Sequence, residues 1–195
     1  ILAFGDEHYL AAYTIVNNIS FTFMCGYFGL FSTTGSLLSY AVGEKNIQKL
    51  QRLYRQIVAA TGLLVAASIF LFLVFSDPIA VLFTGKAAVD IKDLIVFGLH
   101  ICPYGFPFFA YNVGARMSLS ALGNFRSSSF ITIMQEIVFS NLTIIVLPML
   151  MGIDGIWYSF VAANILTFFV MVAVVYLNRD NYGYGSSGLA LLIDR

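Results

Sequence analysis

The chain has 195 residues, 59% of them hydrophobic and only 10% charged, with a mean hydropathy of +0.87 and no net charge. An ordinary soluble domain carries about 25% charged residues, so this composition excludes a water-soluble fold, a disordered chain and a secreted disulfide scaffold. Zero net charge supplies no basic field for nucleic acid, which leaves an integral membrane protein.

A spanning helix needs roughly 20 apolar residues. Five stretches supply them, over about 9–42, 57–75, 94–122, 130–151 and 156–177. The first is too long for one perpendicular crossing of a ~30 Å core. It must tilt, bend at Gly26, Gly29 or Gly35, or project into water. After the second come Asp77-Pro78 and the short run Ile79–Phe83, which cannot span and is expected at the interface. The third is interrupted by Pro103, Gly105 and Pro107. Beyond Asn178 the composition turns to Gly, Ser and Tyr, which reads as a disordered cytoplasmic tail over 179–195. The apolar runs are continuous, unlike the ~10-residue alternating segments of a membrane barrel. Residues 1–178 therefore read as one all-α transmembrane lobe, a bundle of about five helices.

Basic residues set the orientation. Lys45, Lys49, Arg52, Arg55, Arg116, Arg126, Arg179 and Arg195 fall on one side if all five helices span, against Lys86 and Lys92 on the other. The first side is then cytoplasmic and residue 1 lies outside. No charged leader precedes an apolar stretch at the start. A chain that begins outside without a leader is expected to have at least one more helix upstream. The basic residues at 45, 49, 52 and 55 have helical spacing, which suggests a cationic amphipathic turn or a topology anchor.

Few ionisable groups lie inside the apolar runs. Glu136 is the foremost, because a charge near the bilayer centre costs about 2.5–3.5 kcal/mol on insertion scales. It reads as a proton or cation site facing a cavity, or as a structural hydrogen-bonding group. Gln135 and Asn141 lie nearby, with Asn141 about 140° around the helix from Glu136. His100 stands three residues before Pro103, as a transport relay or a bond between helices. The run Pro103-Tyr104-Gly105-Phe106-Pro107 predicts a kinked or broken helix of the kind that lines transporter sites. Asn17 and Asn18 either bond across helices or line a polar cavity. His8, beside Asp6 and Glu7, reads as solvated. Trp157 fits an interfacial aromatic belt. Cys25 and Cys102 read as small packed hydrophobes, with no metal-ligand spacing. No nucleophile motif, zinc-binding helix motif or phosphate loop is present, so the chain is not expected to be an enzyme and needs no cofactor.

Several of these stretches together resemble the MATE (multidrug and toxic compound extrusion) family. They are Leu10–Ser20, the exit Gly43-Glu-Lys-Asn46 with its basic continuation, the proline-containing run ending Ser120-Ala-Leu-Gly-Asn124, and Gly152-Ile-Asp-Gly-Ile-Trp157. The resemblance spans about residues 5–184. It implies one lobe of a two-lobe transporter, the C-terminal lobe, with the N-terminal lobe of the same protein as its missing partner. It also implies a multi-pass protein of the plasma membrane that exports drugs or other amphipathic organic cations in exchange for H⁺ or Na⁺ by alternating access. Some members carry an acid in the segment that here runs over 94–122, where this sequence has none. A lipid-linked oligosaccharide flippase of the related MOP superfamily is the alternative, although Arg116 is the only deep cation available to meet a pyrophosphate. A non-transporting membrane subunit is the third reading. An isolated half of a two-lobe cavity is expected to be unstable or oligomeric.

Overall fold

The structure, a computed structural model, describes residues 7–44, 47–84 and 89–177. Lys45, Lys86 and the expected tail over 179–195 lie outside the described residues. The described residues form α1 (Glu7–Gly43), α2 (Ile47–Thr84), α3 (Val89–Ile101), a 3-10 turn (Cys102–Gly105), α4 (Phe106–Ala121), α5 (Phe125–Ile133), a π-helical stretch (Met134–Phe139), α6 (Ser140–Met151), a second 3-10 turn (Gly152–Asp154) and α7 (Gly155–Leu177).

Side-chain register shows how these elements run. Tyr27 on α1 meets Ser68 on α2, and Phe23 meets Phe72, so α1 and α2 are antiparallel. Phe28 meets Phe109, and the ring of Phe31 lies against Gly114, so α1 and α4 are parallel. Thr143 pairs with Ser159 and Gln135 with Asn164, so the leg from α5 to α6 is antiparallel to α7. The result is an up-and-down bundle of five legs, with α3–α4 as one leg and α5–α6 as another. The ends of α1, α4 and α7 share one face, which carries Lys49, Arg52, Arg55 and Arg126.

Lipid explains the outward residues. Leu63, Leu82, Leu150 and Leu177 are each more than 70% exposed, at 74%, 80%, 77% and 76%. Such exposure would be costly in water but costs nothing against acyl chains. Among the described residues three stretches are long and apolar enough to cross a membrane, namely Gln48–Thr84, Ile91–Ala121 and Phe125–Leu177. The last folds back at Gly152 and so contributes two legs. α1 has the length but not the apolarity. Its outward side is rich in Asn, Ser, Thr and Gly.

The core is aromatic. Phe106 packs edge-on against Phe72 and Phe160 and lies beside Tyr27 and Phe23. The 3-10 turn before it exists because Pro103 has no N–H and fixes its own φ. Gly105 within that turn lets the ring of Phe160 approach closely.

Several expectations change here. The run Ile79–Phe83 is not an interfacial piece. α2 continues through Pro78, with Ser76 and Ala80 buried against neighbours, so packing holds the helix where one N–H is lost. The stretch from 47 is not a separate turn either. It is the first part of α2, burying Leu50 against Leu38 and Ala41 while Arg52 and Arg55 face out. Just before it, the Lys49 ammonium holds the Glu44 carboxyl below its usual range, at 2.6 Å. The first stretch forms one continuous helix, Glu7–Gly43, which leaves tilt, a bend or projection into water open. Trp157 is not in an interfacial belt but buried, its ring pressed on Gly98 and near Tyr13. Cys25 is exposed rather than packed, whereas Cys102 is buried.

Candidate functional site

Glu136 sits on the leg Phe125–Met151, about 16 Å from one end and 22 Å from the other at 1.5 Å per residue. It lies within the π-helical stretch, where Ser140 bonds the Gln135 carbonyl through both its backbone N–H and, at 2.7 Å, its hydroxyl. An extra residue in the turn rotates the rest of the leg about its axis, and such turns concentrate at functional sites. Arg116, from α4, reaches the carboxylate. Its Nη1 donates to Glu136 Oε1 at 3.4 Å and to Thr132 Oγ1 at 3.5 Å. The guanidinium also lies 5.6 Å from the ring centroid of Phe28 on α1. The pair is lopsided, with the Arg116 side chain 9% exposed and that of Glu136 50% exposed. Glu136 therefore has a partner that the sequence did not reveal, and it is half open rather than enclosed.

A buried amide junction lies next to it. Asn112 Nδ2 donates to the Asn164 carbonyl at 3.0 Å, and Gln135 Nε2 donates to Asn164 Oδ1 at 3.2 Å. Asn164 Nδ2 donates to the Phe160 carbonyl at 2.8 Å. Two backbone carbonyls thus fix the orientation of Asn112 and Asn164, and Asn164 in turn fixes Gln135. The orientation leaves Asn112 Oδ1 and Gln135 Oε1 buried without a protein donor. These three amides join α4, the π-helical stretch and α7 at one depth.

The other expected residues are scattered. Asn17 and Asn18 are exposed on α1, in line with Thr22, Cys25, Gly29, Ser32 and Ser36 at helical spacing. Phe21 and Leu37 interrupt this polar side. Thr22 and Ser36 turn their hydroxyls to the carbonyls of Asn18 and Ser32. Asn141 is exposed and bonds its own helix at Ile137, away from Glu136. The Nδ1 of His100 lies 2.7 Å from the Val96 carbonyl on the same helix. Tyr104 is exposed, while Pro103 and Gly105 are buried and Pro107 is half-buried in the broken leg. His8 is exposed at the start of α1. Of the expected residues, Glu136 and Gln135, neighbours in the sequence, take part in these two contacts, one with Arg116 and the other with Asn164. Arg116, Asn112 and Asn164 were missed as site residues, though each is a polar residue set in an apolar run at matching depth.

The family model for MatE matches residues 2–149. The chain belongs to the MatE family. As a member it is a multi-pass protein of the plasma membrane, and its all-helical bundle is a lobe of a MATE fold. Among solved structures, a multidrug resistance MATE family transporter of the MOP superfamily in an outward-facing conformation is similar at a TM-score of 0.80 and 19% identity. The match covers 98% of this chain and 41% of that one. A MATE in complex with MaL6 matches at the same values. An inward-facing MATE family transporter matches at a TM-score of 0.72 and 20% identity, over 94% of this chain and 39% of that one. The chain thus spans about two-fifths of the length of these neighbours. No curated protein matches the chain.

Proposed function

We propose that this MatE chain is the C-terminal lobe of a secondary antiporter, which exports amphipathic organic cations in exchange for H⁺ or Na⁺ by alternating access. The observation that carries the reading is Glu136, a carboxylate left half exposed in the middle of an apolar leg. Such a group is costly in a membrane and is retained where a cation must bind. The polar side of α1 supports it. Hydroxyls and amides at 17, 18, 22, 32 and 36 suit a water-filled cleft better than acyl chains. The missing lobe of the same protein would form the facing wall, as the partial coverage of the neighbours suggests.

The flippase reading is weaker. Arg116 is the only buried cation among the described residues, and it is already engaged by Glu136. A pyrophosphate would find little else to meet it. The test is gradient-driven efflux by the full-length protein in cells. Glu136→Gln should reduce export of organic cations at least several-fold while leaving the protein in the membrane. Unchanged export at both limiting and saturating ion gradients would remove Glu136 from the mechanism.

A further inference from the structure

The geometry points to Arg116 as a tethered competitor for the cation site, an inference that rests on the reading of Glu136 as that site. The Arg116–Glu136 contact is long for a charge-assisted bond, 3.4 Å against about 2.7–2.9 Å. It involves Nη1 and Oε1 and is not the two-bond fork that Arg and carboxylate form when they lock together. The same nitrogen is shared with Thr132 Oγ1, and the guanidinium face is supported by Phe28. Arg116 is therefore held by α1, α4 and α5 independently of the carboxylate. Glu136 leans toward it while keeping half its surface open.

Charge alone has three consequences here. With the site empty, the guanidinium neutralises a carboxylate that would otherwise stand uncompensated in an apolar leg. An arriving organic cation meets a carboxylate whose charge is already partly answered, so it binds less tightly than to a lone Glu. On release, the guanidinium is still in place and takes back the oxygen. Arg116 thus lowers affinity and favours release, which a carrier needs as much as capture. It is a positioning and specificity residue rather than one that touches the transported ion.

The test is equilibrium binding of tetraphenylphosphonium to the purified full-length protein in lipid nanodiscs. Arg116→Gln should tighten binding about three- to tenfold, and Arg116→Met, which keeps the packing volume of the stem, should do the same. Arg116→Lys should stay near wild type. Glu136→Gln should weaken binding, and in the Glu136→Gln background Arg116→Gln should have no further effect. If Arg116→Gln or Arg116→Met weakens binding, or if neither variant folds, Arg116 is a structural strut and the competitor role is overturned. If Glu136→Gln weakens binding but the Arg116 variants leave it unchanged, the tether fails while the cation site stands. If Glu136→Gln itself leaves binding unchanged, the underlying site reading fails first.

Discussion

Replacing Gly155 by Ala tests the packing of the hairpin between α6 and α7. A Cβ at this position would fall on the Leu147 carbonyl and lie 2.7 Å from the Pro148 nitrogen. Both are backbone, so no side chain can swing aside. Ordinary contact begins at 3.4 Å, so the helices must part by at least 0.7 Å, the difference from 2.7 Å. The Thr143 hydroxyl shares its proton between the Phe139 carbonyl of its own leg at 2.8 Å and the Ser159 carbonyl at 3.1 Å, and the Ser159 hydroxyl shares its proton between the Gly155 carbonyl at 2.8 Å and the Thr143 carbonyl at 3.2 Å. The same displacement carries both contacts between the legs past hydrogen-bonding distance. Overpacking costs about 1–3 kcal/mol, and each bond between membrane helices about 0.6 kcal/mol. The expected loss is therefore roughly 2–4 kcal/mol. At about 2–4 °C per kcal/mol this lowers Tm by roughly 5–15 °C. The assay is thermal unfolding of the purified full-length protein in detergent, with Ser159→Ala as the comparison. Ser159→Ala alone should cost about 1 kcal/mol and add little on the Gly155→Ala background, where the bonds are already lost. A Gly155→Ala variant within about 0.5 kcal/mol of wild type, or full additivity with Ser159→Ala, would refute the packing account.

The buried amides and the cysteines offer two more tests. Asn164→Ala removes the acceptor for Gln135 and leaves a buried amide unpaired, which should cost about 1–3 kcal/mol. Gln135→Ala should cost a similar amount, and the double variant little more than either alone, because the two act as one unit. Additive losses in unfolding would show that the amides are independent. Cys25, exposed on the polar side of α1, should react with a membrane-impermeant thiol reagent in the full-length protein, while Cys102, buried beside the 3-10 turn, should not. Protection of Cys25 by substrate is expected, and failure of the impermeant reagent where a permeant one reacts would place this side of α1 against lipid.

The lobe itself is legible in the sequence because lipid imposes a length rule that soluble folds lack. The four legs after α1 each show as an apolar run of spanning length, and each turn as a Gly or a polar cluster. Gly123 and Gly152, with φ of 82° and 67°, sit where the chain must leave a helix in a conformation that side chains resist. Asn124 then caps α5 by accepting from the Ser127 N–H at 3.1 Å. The first turns of α2 are less visible because they are amphipathic. Their helical period is carried by Leu50, Leu53 and Tyr54 among basic residues rather than by an apolar run. The π-helical stretch leaves no trace in hydropathy at all. One extra residue per turn changes orientation without changing composition.

The site is less legible for a related reason. Glu136 stands out alone, but its partner is 20 positions earlier on another leg. Only the tertiary register, set by Leu119 and Ile131 meeting in one small cluster, puts Arg116 beside it. Trp157 misled in the same way. At the start of a leg an indole suits the interface, yet Gly98 opposite it provides a notch that draws the ring inward.

Between helices in lipid there is little hydrophobic drive to choose one register over another, since acyl chains are as apolar as Leu. Register in this lobe must then come from contacts that fail when shifted by a turn. Gly155 against the Leu147 carbonyl is one, and the Asn112–Asn164–Gln135 junction is another. Both lie along α7, whose remaining surface is apolar enough to slide. The Thr143–Ser159 pair falls between them at the same antiparallel register. A substitution at Gly155 opens the Thr143–Ser159 pair with it, and the Asn112–Asn164–Gln135 junction is then left to hold the leg. The exposed polar residues of α1, at 17, 18, 22, 32 and 36, have no such role. The polar groups of the lobe divide accordingly. Those that pair inside the bundle fix its geometry, and those left outside, with the open half of Glu136, are the groups on which the proposed water-filled cleft rests.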